Sequence, residues 1–558
     1  MARIDVEATR AALEARHPRW VERTLTEALD AVAAEHPDRP FVITEAGTWT
    51  YADLTAWTER LARGLVASGV GAGDRVALLL PNGAELVAAI FAVARAGAVA
   101  VPLNVRLRPR ELEFVVRQSG SVALVTVHAF RDADIAAALN AVSLPAVQTT
   151  VFCDDGGLEA LERDADPELD AELERRAAAS APGDPATIFY TSGTTGQPKG
   201  VVLTHDMELR SAYGSAYTRA FEDGRRILFA LPLHHVFAYV EGMLAALFAG
   251  GAIIVQAVFD PVDTLRAIER HRASEALFVP TMSLAVVEAA GAGDHDLSSL
   301  HAVMSAAAVC PARLWREMVD TLGVTELVTG YGMTETAAAT TFTMPHDPID
   351  TMVETVGRPK PGGVAGDPAL GGLLARYRTV DPDSGEDLPD GAPGELVVEG
   401  PIVTRGYHDA PEATAAAFDG RGRLRSGDLG TIRDDGYLVL TGRSKDLYKC
   451  GGEQVMPAEV ENVLTALPGV SQAHVVGLPD ERMGEVGCAF VVAAEGHAPT
   501  AEELLAHCRA ELSRFKIPEH VVFCSAADLP LTASGKVQKF VLAERAQESL
   551  GAGASAAR

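Results

Sequence analysis

Thr191-Ser192-Gly193-Thr194-Thr195-Gly196-Gln197-Pro198-Lys199-Gly200 places three glycines, four hydroxyls and a lysine within ten residues. It follows a β-type run, Ala186 to Tyr190. Backbone N–H groups and hydroxyls in so open a loop can wrap phosphate oxygens, and a lysine supplies countercharge. The spacing is not that of a Walker A loop, because Lys199 is followed by glycine rather than Ser or Thr.

Outward from this loop, the texture is consistent. Residues 20–180 alternate helical stretches such as Thr55 to Gly69 with short apolar runs such as Val76 to Leu80. The same alternation returns between 225 and 345, with Ile253 to Val255 and Ala276 to Val279 as buried strands. This predicts an α/β fold, with parallel sheets covered by helices. From 355 to 444, Gly, Pro and Asp cluster between short strands, which predicts a small β-rich subdomain. After Lys445 a helix, a strand (Ala473 to Val476), a strand (Cys488 to Ala493), a helix (Ala501 to Arg514) and a strand near Val521 predict a compact α+β lid. The division expected is therefore an N-terminal domain, 1–444, and a C-terminal domain, 445–558. The Gly/Ala/Ser tail from Gly551 is expected to be disordered.

Bulk properties narrow the function. The chain has 558 residues, enough for two or more domains, and a formal net charge of -28. That charge repels nucleic acid over most of the surface. Six scattered cysteines form no CxxC pair, so no zinc or redox motif is visible and a reducing, cytoplasmic setting is expected. The most apolar stretch, Leu86 to Leu103, is broken by Arg95 and Gly97 and reads as a helix and strand rather than a membrane span. No secretory leader is read at the start.

The run 191–200 closely resembles the phosphate loop of the adenylate-forming superfamily: acyl- and aryl-CoA synthetases, peptide-synthetase adenylation domains and beetle luciferases. Further segments resemble that family's motifs in order. They are Leu231-Pro232-Leu233-His234-His235-Val236-Phe237, Tyr331-Gly332-Met333-Thr334-Glu335, Ser426-Gly427-Asp428, Gly442-Arg443-Ser444-Lys445-Asp446 and Pro530-Leu531-Thr532-Ala533-Ser534-Gly535-Lys536. The resemblance spans roughly 25–545, and is nearest to acyl-CoA ligases. It implies ATP-dependent activation of a carboxylic acid to acyl-AMP and pyrophosphate, then a thioester with coenzyme A.

The resemblance also implies roles. Thr191, Ser192, Gly193, Thr194, Thr195, Gly196 and Lys199 would hold the β- and γ-phosphates, and Glu335 would help hold Mg²⁺, which prefers oxygen ligands. Thr334 would reach the α-phosphate, and Tyr331 would stack on adenine. Asp428 and Arg443 would contact the ribose. Lys536 would bridge the α-phosphate and the substrate carboxylate. The lid would rotate about Lys445, and Lys449 would serve the second, thiol-transfer orientation. His235 would lie beside the α-phosphate and acyl pocket, whereas His234 reads as a buried, hydrogen-bonded histidine. Phe237, Glu241, Ala306, Ala307, Gly330 and Gly332 would line the acyl pocket.

Two departures from the family pattern concern the substrate. In Ser305-Ala306-Ala307-Ala308-Val309-Cys310 the family usually has Gly second and Pro fifth, and Ala306 argues for a narrowed pocket. Glu241 stands where relatives carry a small or hydroxylic residue. It is four residues beyond Phe237 and, on an α-helix, would share its face. A carboxylate is costly to desolvate unless paired. Either it pairs with an amine or strong donor on the substrate, or the helix is rotated and it meets water or an arginine. Three alternatives to a CoA ligase remain open from sequence. They are loading of an acyl carrier protein's phosphopantetheine, transfer to a non-thiol nucleophile, and nucleotide binding without catalysis; intact Lys199, Glu335, Asp428 and Lys536 argue against the last.

Overall fold

The computed structural model describes residues 4–191, 198–443, 446–480, 482–494, 496–531 and 537–555. Ser192, Gly193, Thr194, Thr195, Gly196, Lys445 and Lys536 lie outside these. The chain forms two compact units, Met1–Arg376 with Val398–Leu424, and Tyr377–Val397 with Arg425–Arg558. Much of the β-rich stretch expected within 355–444 thus groups with the C-terminal residues.

In the first unit, short apolar runs become the strands of two mostly parallel sheets. One has seven strands in the order Glu326–Val328, Ala302–Ser305, Glu275–Phe278, Arg226–Phe229, Ala252–Val255, Pro40–Ile43 and Thr48–Thr50. Only the last pairing is antiparallel. The second has six strands, Lys199–Thr204, Pro185–Thr191, Val99–Pro102, Arg75–Leu79, Ser121–Thr126 and Thr149–Phe152. Ile227, Leu228 and Phe229 are all fully buried, as are Val76, Ala77 and Leu78. Burial on both faces explains why these strands read as continuous apolar runs rather than alternating ones.

The helices between them are capped as their sequences require. Tyr51–Ala67 follows Thr50, whose hydroxyl accepts from Asp53 N while the Asp53 carboxylate accepts from Thr50 N. Such a reciprocal box satisfies two of the donors left open at a helix start. A third, antiparallel sheet joins Gly330–Met333, Ala338–Phe342 and Arg358–Pro359.

The second unit holds a four-stranded sheet of Arg376–Val380, Gly394–Glu399, Leu424–Ile432 and Leu438–Arg443. Its other sheet is built on Val470–Asp480 against Gly484–Ala493, with His520–Phe523 parallel to the latter. The helices Pro457–Thr465 and Ala501–Glu511 bury Val460, Leu464, Leu504 and Cys508 in one core. Two corrections to the sequence reading arise here. A hairpin, Tyr448–Cys450 with Glu453–Val455, precedes the first expected helix. The turn Gly451-Gly452 has both φ positive, the two-residue connection that matches strand twist and strongly favours glycine. The tail is not a loop from Gly551: a helix runs Lys539–Ser555, seated by buried Leu542 and Ala546.

Candidate active site

The first unit's candidate residues cluster at one kind of place, the carboxyl ends of parallel strands. Thr191 ends the strand Pro185–Thr191, His234 and His235 follow Arg226–Phe229, Ala306 follows Ala302–Ser305, and Gly330 follows Glu326–Val328. Open α/β sheets bind ligands outside such ends. The phosphate-type loop leaves a hairpin in which Thr191 and Lys199 are direct partners.

The strand supporting that loop is held by buried polar contacts. Thr187 donates a short hydrogen bond to Glu208, and Tyr239 Oη donates to the other Glu208 oxygen at 3.1 Å. Burial pushes the Glu208 carboxyl up to about 8. Asn82, which the sequence reading passed over, joins the two large sheets. Its Nδ2 donates to Leu231 O at 2.9 Å and Gln256 O at 3.2 Å, and its Oδ1 accepts from Leu233 N at 2.9 Å. Asn82 therefore fixes the segment that presents both histidines. Burial lowers the His235 pKa to about 4, and burial, with repulsion from His235, lowers that of His234 well below its ordinary value. At neutral pH both rings are uncharged, so His235 can hydrogen-bond to a ligand but supplies no positive charge. Among the described residues His234 Nε2 is buried with no hydrogen-bond partner, so the bonded ring expected from the sequence is not seen at that nitrogen.

Tyr331 and Glu335 sit on a tightly specified turn. Gly332 lies against the neighbouring strand so closely that a Cβ would stand 2.0 Å from Ala338 O. Beyond Glu335, Ala337 and Ala338 take φ of 48° and 81°, a conformation that costs an alanine on the order of 1–3 kcal/mol. The surroundings hold it. Ser211 Oγ donates to Ala337 O at 2.5 Å, Thr336 Oγ1 donates to Ala338 O at 3.0 Å, and Ala339 N donates to Glu241 Oε1 at 3.0 Å.

That last bond corrects the pocket assignment of Glu241. Its side chain is fully buried, and its carboxylate lies 3.5 Å from the Arg219 guanidinium. Arg219 also bonds Glu275 at 2.5 Å, and Glu275 in turn accepts from Arg225 at 2.8 Å. The physical reason is helical winding. Phe237–Leu244 is π-helical, so residues four apart are not related as on an α-helix. Glu241 meets an arginine and clamps the strained turn after Glu335.

Glu335 is also held from the segment 404–408. Thr404 N donates to Glu335 O at 2.7 Å, and Tyr407 Oη donates to Glu335 Oε1 at 2.9 Å. Burial, then the adjacent Glu335 charge, raises the Tyr407 pKa, so the phenol stays a donor. Over its face the Tyr407 ring carries the Lys199 ammonium, 4.9 Å from the centroid. Val202 N donates to Gly406 O, and His408 N to Gly200 O, which stitches this segment to the loop's second strand. Lys199 and Glu335, 136 residues apart in sequence, are thus brought to one tyrosine, the ammonium over its ring face and the carboxylate at its hydroxyl, and the half-exposed Glu335 carboxylate is an oxygen donor suited to a hard cation. Among the described residues, no group of three or more His, Cys, Asp or Glu forms a protein-only metal cage. A cation here would be shared with phosphate oxygens.

In the second unit, Asp428 and Arg443 are register partners on adjacent strands, and Arg443 Nε lies 2.9 Å from Asp428 Oδ1. Ser426 Oγ accepts from Asp428 N and donates to Leu396 O at 2.6 Å, which fixes the Ser426-Gly427-Asp428 bend. Lys449 is exposed, and its backbone N–H donates to Glu485 at 2.7 Å.

Residues 29–408 match the model of the AMP-binding enzymes, and residues 459–536 match the model of the AMP-binding enzyme C-terminal domain. The chain belongs to the AMP-binding enzymes. This AMP-binding enzyme is 38% identical over 526 residues to a 3-[(3aS,4S,7aS)-7a-methyl-1,5-dioxo-octahydro-1H-inden-4-yl]propanoyl:CoA ligase of Mycobacterium tuberculosis, covering 94% of this chain and 99% of the relative. It is 39% identical over 490 residues to a feruloyl-CoA synthase of Amycolatopsis, covering 88% and 92%. The ATP-bound crystal structure of MatB from Rhodopseudomonas palustris superposes with a TM-score of 0.77 at 30% identity, over 93% of this chain and 98% of that one. Like the acyl- and aryl-CoA ligases it matches, this AMP-binding enzyme uses ATP to activate a carboxylic acid as an acyl-adenylate, then forms the CoA thioester. No described helix is long and apolar enough to cross a membrane.

Proposed function

We propose that this enzyme acts on a carboxylic acid that carries no amine, with free coenzyme A as the acyl acceptor, in the cytoplasm. The reading is supported by the placement of Glu241. With that carboxylate bound to Arg219 and Ala339 N, no acidic group is left at this position to recognise a substrate amine. The relatives named above act on a ring-bearing propanoate and on ferulate, neither of which carries an amine.

In the proposed reaction the substrate carboxylate attacks the α-phosphorus and pyrophosphate leaves. Lys199, with Thr191, Ser192, Gly193, Thr194, Thr195 and Gly196, holds the β- and γ-phosphates. Glu335 offers oxygen to Mg²⁺, which would neutralise phosphate charge. Thr334 reaches the α-phosphate and Tyr331 stacks on adenine. Neutral His235 orients the α-phosphate and acid by hydrogen bonding, while Phe237, Ala306, Ala307, Gly330 and Gly332 border the acid. Holding the reactants in line and meeting the developing charge with fixed donors lowers the barrier. Asp428 and Arg443 are assigned to the ribose and Lys536 to the attacking carboxylate. In the second step the CoA thiol attacks the acyl carbonyl and AMP leaves, with Lys445 as the pivot between domains 1–444 and 445–558 and Lys449 serving the second orientation.

Acid-dependent pyrophosphate release, measured over aliphatic, aromatic and amino-substituted acids with and without CoA, tests this. The expected result is turnover on acids without an amine, raised by CoA and yielding acyl-CoA. Transfer only to a phosphopantetheinylated carrier protein would replace free CoA as acceptor. ATP consumption without any thioester would favour a non-thiol nucleophile.

A further inference from the structure

Lys199 and Glu335 carry opposite charges and approach one residue, the first at its ring face and the second at its hydroxyl, yet no ion pair between them is found among the described residues. Lys199 makes no salt bridge among the described residues, and its ammonium instead lies over the Tyr407 ring at 4.9 Å. Glu335 accepts from the same residue's hydroxyl at 2.9 Å. We propose that Tyr407 is a positioning residue that insulates Lys199 from Glu335, keeping the cation available to ATP phosphates and the carboxylate available to the metal.

The physical case starts from what the pair would do without the ring. A lysine has a flexible four-carbon stem, and a half-exposed carboxylate within its reach would capture it. Each charge would then be spent on the other, and ATP binding would have to break the pair first. A π face holds an ammonium by its quadrupole, with an attraction comparable to that of a partly exposed ion pair, yet leaves the charge unneutralised. A phenol is suited to this because one end is a face for a cation and the other a donor for an anion. Tyr407 cannot readily swing away. Its backbone N–H donates to Thr414 Oγ1 at 2.9 Å, and Tyr407 pairs with Val201 two residues beyond Lys199.

The inference rests on the assignment of Lys199 to phosphate and Glu335 to metal, and the experiment separates the two. Metal-free ATP binding is measured calorimetrically in chelator for the native protein, Y407A, E335Q and Y407A/E335Q. Tryptophan fluorescence melting checks folding, and Y407L is run alongside as a bulkier variant that also lacks the π face and hydroxyl. Y407A is expected to weaken metal-free ATP at least tenfold. Adding E335Q to Y407A should recover at least five times more affinity than E335Q gains in the native background, because removing the carboxylate releases the captured lysine. Y407F, which keeps the ring, should bind metal-free ATP within threefold of native. Equal gains from E335Q in both backgrounds, or a Y407F loss as large as that of Y407A, would overturn the insulating role. A merely scaffolding tyrosine would not be rescued by changing Glu335. K199M decides the underlying assignment: it should weaken metal-free ATP binding, and an unchanged affinity would remove Lys199 from the phosphate site and the inference with it.

Discussion

Replacing Glu241 distinguishes a clamp from a substrate contact. In Glu241→Ala, three losses combine. Ala339 N–H loses its acceptor in a fully buried place, at about 1–3 kcal/mol. Arg219 loses one of two carboxylates; breaking a buried pair costs about 3–5 kcal/mol, and the 2.5 Å bond to Glu275 puts this case at the low end. The vacated volume adds about 1–2 kcal/mol. The first unit should lose roughly 5 kcal/mol or more, a large share of the stability of any domain. Glu241→Gln keeps the shape and an oxygen for Ala339 N, and gives up the attraction to a guanidinium 3.5 Å away and to the buried Lys360 ammonium, so about 1–3 kcal/mol is expected.

The assay is specific to the right unit, because Trp20, Trp49, Trp57 and Trp315 all belong to the first one. Urea unfolding followed by tryptophan fluorescence should therefore rank native above E241Q above E241A. Alongside it, kcat/KM is compared for an amino-substituted acid and its deamino analogue. E241Q should leave that ratio within twofold. A tenfold change in the ratio with an unmoved urea midpoint would show that the carboxylate meets the substrate, and the clamp reasoning would be wrong.

Asn82→Ala removes three bonds between the sheets and should cut kcat/KM about tenfold or more while lowering the melting temperature, because the segment carrying His235 loosens. His205, buried and accepting from Leu25 N, has its pKa lowered to about 4 by burial against an ordinary 6.5. The unfolded chain therefore binds the proton first, and the stability due to neutral His205 is present above pH 6.5 and lost as pH falls towards 4. That loss is roughly 3 kcal/mol, and His205→Gln should flatten the acid limb of the fluorescence-monitored urea midpoint by a comparable amount. Asp428→Asn should raise KM for ATP about tenfold with little change in the second unit's circular-dichroism melt; an unchanged KM would take Asp428 out of the ribose assignment.

What the sequence made legible was what local pattern encodes. Val76 to Leu80 and Ile253 to Val255 read as buried strands because burial on both faces leaves an unbroken apolar run, and the structure places strands at Arg75–Leu79 and Ala252–Val255. The motif residues were legible through their resemblance to the adenylate-forming superfamily, and the fold sets several of them at strand ends. Glu241 was not legible in the same way. Its partners lie 22 residues upstream at Arg219 and 98 downstream at Ala339, and a period of four assumes an α-helix that the π-helical Phe237–Leu244 does not supply. Asn82 carried a weak signal, an amide in a Pro-Asn-Gly turn just past a strand, but nothing local shows that its partners are the ends of two strands in another sheet.

Tyr407 shows the same limit at the site itself. Arg405-Gly406-Tyr407 reads as an ordinary loop, and its significance depends on a residue 72 positions earlier and another more than 200 earlier. The sequence names the charges that a phosphoryl-transfer site needs, since lysine, carboxylate and hydroxyl are chemically conspicuous. It does not name what keeps those charges apart. Here the Lys199 ammonium lies on the ring of Tyr407 and the Glu335 carboxylate accepts from its hydroxyl, and that neutral residue carries no charge by which to be noticed in the sequence. The strained Ala337–Ala338 turn makes the complementary point, because two alanines with positive φ carry no sequence signature. They persist only because Ser211, Thr336 and Glu241 each bond the backbone around them. The position of Glu335 is therefore set by its own neighbour Thr336 and by two residues distant in the chain, Ser211 and Glu241, and a conservative change at either distant residue should alter metal and nucleotide binding more than the choice of acid.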